Sequence, residues 1–171
     1  MEKTIRIEKL SVSDLRMASD CEKKLFYKLT QPKPSKISVY LLIGIVFHEV
    51  VAEYLKQKGN DMLGMDLKQF RILFERIWDI HKDKCNYTLK MSQGFCFDRC
   101  WIYLECYHQK YLKMLFPDGL GNVERFFTFI AKNNGNRLKF VGKCDLLTKD
   151  GSLIDHKTSG SSKKWTQSDA E

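Results

Sequence analysis

Nowhere does this 171-residue chain carry an apolar run long enough to cross a bilayer. The longest, Val39 to Phe47 with Gly44 inside it, falls far short of the roughly 20 residues a spanning helix needs. No membrane partner is expected. The first ten residues are charged throughout, unlike a secretory leader. Cys21, Cys85, Cys96, Cys100, Cys106 and Cys144 do not follow the spacing of a small disulfide-stapled domain. A reducing cytoplasm is therefore the expected location. Internal repeats and low-complexity segments are also missing, which excludes solenoids and biased linkers. Proline is scarce, and Pro32, Pro34 and Pro117 fall where helices should stop.

What is present describes a folded domain with a basic surface. An apolar fraction of 43% and a charged fraction of 29% suit a globular protein, and the length allows one domain with a real core. The net charge of +8 points to a polyanionic partner. Much of that excess is local, at Lys132, Arg137, Lys139, Lys143 and Lys149.

Apolar periodicity predicts a first helix over residues 11–30, carried by Leu15, Ala18, Cys21, Leu25 and Leu29. Further helices are expected over about 38–58, 66–86 and 92–116, followed by Pro117-Asp118-Gly119. Strands are expected over 122–131, 138–147 and 153–158. This order gives an α+β fold: an N-terminal helical region, then a three-stranded antiparallel meander. A single domain over 1–171 would comprise an N-terminal helix (1–31), a helical part (38–117), a sheet (122–158) and the opening of a further part (159–171). Three strands leave an unprotected edge. Either a later segment of a longer chain or another molecule, including a second copy, would cover it.

The second and third strands carry the most chemistry. Lys149-Asp150-Gly151 is a turn signal, and a three-residue loop with a left-handed Gly151 pairs Thr148 with Ser152. That register sets Asp145 directly across from Asp155, whereas a two-residue loop would put them on opposite faces. Lys157 projects from the same face as Asp155. Facing carboxylates repel unless something neutralises them. A divalent cation such as Mg²⁺ would do so, with the lysine beside it to act on water or phosphate. The alternative is a solvated hairpin with scattered surface charge. On the second helix, Gly44 and His48 are four apart and share a face.

Four motifs in this order resemble the RecB-like branch of the PD-(D/E)XK nucleases, which includes RecB and AddB nuclease domains and CRISPR-associated exonucleases. Ser11-Val12-Ser13 leading to Cys21-Glu22-Lys23-Lys24-Leu25-Phe26-Tyr27 is similar to its S-x-S…C-P-x-x-F-x-Y element, with Glu22 in place of proline. Gly44 to His48 is similar to G-x-x-x-H, Gly142 to Asp145 to G-x-x-D, and Asp155 to Thr158 to D-x-K-T. The resemblance spans nearly the whole chain and implies a restriction-endonuclease-like core.

It further implies that Asp145 and Asp155 ligate a catalytic Mg²⁺ or Mn²⁺, joined by His48 and the carbonyl of His156. Lys157 would position water or stabilise the transition state. The implied activity is exonucleolytic hydrolysis of DNA, single-stranded by preference, of a kind used in recombination, repair or CRISPR adaptation. A helicase or recombination protein is the implied partner. The branch's Q-x-x-x-Y helix is not matched, because Gln167 is followed four residues later by Glu171. Several members hold a 4Fe–4S cluster. Cys21 occupies the place of its first ligand, and three others would lie beyond residue 171.

Several residues carry two readings. Cys21 is read alternatively as a buried apolar residue. His81, Cys85, Cys96 and Cys100 form two i,i+4 pairs that zinc could bridge, but with no C-x-x-C knuckle buried helical cysteines are preferred. Glu124 either reaches a metal through water or pairs with Arg125 or Lys139 on the surface, the latter preferred. Lys143 lies among the basic residues available to DNA. Lys163 and Lys164 could contact a backbone and Trp165 stack on a base, or the three belong to a polar tail. Against the nuclease stand two rivals: a catalytically incomplete module that binds nucleic acid or a partner, and a structural metal domain using the cysteines.

Overall fold

The computed structural model describes residues 7, 9–32, 34–58, 66–112, 122–133 and 136–158. They fall into two compact units: Met1–Ser35 with Asp118–Ile154, and Lys36–Pro117 with Asp155–Glu171.

The first unit is built on a sheet. Strand β1 (Lys9–Ser11) leads directly into helix α1 (Val12–Asp20), and α2 (Glu22–Thr30) follows. Ser11 serves both elements. It ends β1 and caps α1 in a reciprocal box, its hydroxyl accepting from the Asp14 N–H while Asp14 accepts from the Ser11 N–H. The single helix expected over 11–30 is two helices. Cys21 is extended between them (φ −169°, ψ 112°), and its N–H donates to the Met17 carbonyl at 2.9 Å.

Strands β2 (Asn122–Asn133) and β3 (Asn136–Leu147) form a long antiparallel hairpin. Strand β4 (Leu153–Ile154) returns along β3, with Leu146 opposite Ile154 and Leu147 opposite Leu153. The loop is the expected three-residue one: the Thr148 N–H donates to the Ser152 carbonyl at 2.9 Å, and Gly151 has φ +90°. The expected meander is therefore present, with β4 shorter than expected. A fourth strand, β1, was not expected; it runs parallel to β3, with Leu10 opposite Phe140. Three residues are too few for alternation to mark them. The β3 edge facing away from β2 is thus shared by β1 at one end and β4 at the other.

The second unit is helical: α3 (Val39–Lys58), α4 (Leu67–His81) and α5 (Gln93–Cys106). Asp66 caps α4 through the Gln69 N–H at 2.8 Å, and Ser92 caps α5 through the Phe95 N–H at 3.2 Å. Its core interleaves Leu42, Val46 and Val50 of α3 with Phe70 and Phe74 of α4 and Leu104 of α5, all fully buried. Each such side chain contributes about 1.5–3 kcal/mol on burial. Helix α5 does not simply continue as expected. Residues Tyr107–Tyr111 form a π-turn, where the Leu112 N–H donates to the Tyr107 carbonyl five residues back. Among the described residues no helix is long and apolar enough to cross a membrane.

Candidate functional site

In the helical unit, α3 carries Gly44 and, one turn on, the half-buried His48. The space left by Gly44 is taken by Thr158, since a Cβ there would lie 3.2 Å from the Thr158 hydroxyl. The glycine of G-x-x-x-H thus makes room for the threonine of D-x-K-T. His156 sits among aromatic rings, with centroids 5.1 Å from Tyr107 and 6.2 Å from both Phe47 and His48. The Tyr107 hydroxyl is hydrogen-bonded to His156 Nε2 at 3.0 Å. Asp155 and Lys157 both project to solvent, their side chains 59% and 62% exposed, and form an ion pair at 2.5 Å.

In the sheet unit, Asp145 is half-buried on β3, one residue before the fully buried Leu146. Gly142 lies opposite Phe127, whose ring folds over it so closely that any Cβ at 142 would run into it. Lys143 lies opposite Phe126 with its ammonium 5.8 Å from that ring, and pairs with Glu124 at 2.5 Å. The surface pairing expected for Glu124 is therefore observed, but to Lys143 rather than Arg125 or Lys139. Among the described non-glycine residues, Glu124 alone has a positive φ, +54°. The ladder skips it, pairing Val123 with Leu146 and Arg125 with Cys144, so its strained backbone falls at the position facing Asp145.

Over residues 9–171 the sequence matches the PD-(D/E)XK nuclease superfamily. The chain belongs to that superfamily. No curated protein and no solved structure matches it. In a PD-(D/E)XK nuclease the question put to each motif residue is whether it can donate to a divalent cation. Within the helical unit His48 and His156 each offer an imidazole, and within the sheet unit Asp145 offers a carboxylate, donor types that suit such an ion.

Other sequence candidates are placed differently. Cys21 is half-buried at the junction of α1 and α2. Among the described residues neither it nor Cys85, Cys96 and Cys100 belongs to a group of three or more donors at metal spacing. Cys85, Cys96 and Cys100 are buried, and burial pushes the Cys100 thiol up to about 12. His81 is hydrogen-bonded through Nε2 to Glu49 at 2.6 Å. Lys163, Lys164, Trp165 and Gln167 lie outside the described residues. Sequence reasoning missed Tyr107, which reads as one more residue of a helical stripe, and the backbone of Glu124, which has no signature in composition.

Proposed function

We propose that this chain is a metal-dependent deoxyribonuclease of the RecB-like branch, hydrolysing phosphodiester bonds as an exonuclease on single-stranded DNA. The observation that carries the reading is the β3–β4 register. Asp145 immediately precedes one partner of the Leu146–Ile154 pair and Asp155 immediately follows the other, so one further step of the ladder would set the carboxylates face to face. Such an arrangement is unfavourable without a cation and useful with one.

In this reading Asp145 and Asp155 hold Mg²⁺ or Mn²⁺ with His48 and the carbonyl of His156. A bound cation would supply positive charge to the scissile phosphate and to the attacking water. Lys157 Nζ, which donates to Asp155 in the structure, reorients to the water or to the phosphoryl oxygens as charge develops. Thr158, seated against Gly44, fixes the end of the segment that carries Lys157. The basic surface, including Lys143 together with Lys163 and Lys164, holds the phosphate backbone, and Trp165 stacks on a base. Superfamily membership, the order of the four motifs and the +8 charge support this substrate.

Incubation of the full-length protein with end-labelled single-stranded DNA and Mg²⁺ or Mn²⁺ tests it. The expected result is cleavage that chelation abolishes and that Asp155→Ala and Lys157→Ala each reduce at least about a hundredfold. Cleavage indifferent to both substitutions contradicts the assignment. Salt-sensitive binding without cleavage would replace it with the binding-module reading.

A further inference from the structure

His156 is more elaborately held than a backbone ligand requires. If only its carbonyl mattered, the side chain could be of any kind and could face solvent. Instead the imidazole lies among Phe47, His48 and Tyr107, and one ring nitrogen is engaged by the Tyr107 hydroxyl at 3.0 Å. Tyr107 is itself buried, with 5% of its surface exposed, and it opens the π-turn that follows α5. A π-turn inserts one residue into the helical repeat and re-aims the side chains that follow. A phenol oxygen can accept a hydrogen bond as well as donate one, and this one is hydrogen-bonded to His156 Nε2.

This contact has a consequence for the other nitrogen of the ring. When His156 Nε2–H donates to the phenol oxygen, Nδ1 carries the lone pair and is the nitrogen able to coordinate. Metal-binding histidines are commonly oriented in this way, through a hydrogen bond from the nitrogen that does not bind. With His48 the site then offers two imidazole nitrogens. Mg²⁺ strongly favours oxygen donors, whereas Mn²⁺ and the later divalent ions accept imidazole.

We propose that His156 joins the metal site through its imidazole, that Tyr107 is the positioning residue fixing its tautomer, and that the resulting site prefers Mn²⁺ to Mg²⁺. This rests on the metal-dependent reading above and deepens it, since it concerns which ion the site takes and through which atoms.

The test is pulsed electron paramagnetic resonance of the full chain with Mn²⁺, together with Mn²⁺ and Mg²⁺ affinities from competition. The wild type should show nitrogen modulation from two imidazoles and bind Mn²⁺ at least about tenfold more tightly than Mg²⁺. His156→Ala should remove one imidazole signal and most of that preference. Tyr107→Phe keeps the buried ring and removes only the hydroxyl, so it serves even if His156→Ala fails to fold. It should weaken Mn²⁺ by about tenfold to a hundredfold, with Mg²⁺ affected less. Unchanged nitrogen modulation and ion preference in Tyr107→Phe and in folded His156→Ala would overturn the proposal. Provided Asp145→Asn still weakens binding at least about tenfold, that outcome leaves the nuclease reading in place. Failure of the wild type to bind either ion overturns both.

Discussion

Leu146 sits opposite Ile154 in the antiparallel register of β3 and β4, and Asp145 and Asp155 are each the next residue in the chain beyond that pair. That register depends on a loop whose third residue, Gly151, has φ +90°. A Cβ there would meet nothing within 4 Å, so the objection to a larger residue is conformational alone. Gly151→Val should lower stability by roughly 1–2 kcal/mol in urea unfolding. No change would mean that the loop tolerates another conformation and does not hold the register.

Gly44 sets two effects against each other. Alanine in the middle of a helix is favoured over glycine by about 1 kcal/mol. A Cβ at this position would also crowd the Thr158 hydroxyl at 3.2 Å. Gly44→Ala should therefore leave stability within about 1 kcal/mol of wild type, while cleavage falls about tenfold or more because Thr158 and the adjoining Lys157 shift. Gly44→Leu should impair both. An alanine variant that gains the full helical increment and retains activity would show that Thr158 does not depend on this space.

The cap of α1 should make stability depend on acid. Burial pushes the Asp14 carboxyl up, but hydrogen bonds from Lys28 and Ser11 outweigh it and bring the pKa from 3.8 down to about 2. A group depressed on folding stabilises fully above its unfolded pKa, and that contribution is lost as pH falls through the folded one. The Asp14 side chain is only 13% exposed, yet its partner Lys28 is 45% exposed, which reduces the effect to about 1–2 kcal/mol. Asp14→Asn should be less stable than wild type by that amount at pH 6, with the gap closing toward pH 2. An equal gap at both pH values, read from urea midpoints, contradicts this origin.

Glu124 combines a left-handed backbone with an ion pair to Lys143. Glu124→Gly removes conformational strain of about 1 kcal/mol and loses a partly exposed pair worth at most about as much. Its stability should stay near that of wild type, whereas Glu124→Val should be lower by about 2 kcal/mol because a branched side chain is poorly tolerated at this φ. Equal stabilities for the two variants would show that the backbone at 124 carries no strain.

Those parts of the molecule governed by short-range rules were legible in the sequence. The Lys149-Asp150-Gly151 loop set the β3–β4 register, and helical spacing put Gly44 and His48 on one face. What escaped was non-local or lacked a side-chain signature. Strand β1 is three residues long and pairs with β3 more than a hundred positions away. The break at Cys21 interrupts a stripe that stays helical in period on both sides. The π-turn at Tyr107 leaves the apolar pattern nearly intact, so neither it nor the contact with His156 can be read from spacing.

Asp145 and Asp155 are proposed to share one divalent cation. Titration of Mn²⁺ into the purified protein, following free ion by its paramagnetic signal, tests it without reference to turnover. The account predicts saturable binding in the wild type and a loss of at least about tenfold in affinity with either Asp145→Asn or Asp155→Asn. Absence of a saturable site, or a site that neither substitution weakens, would contradict it.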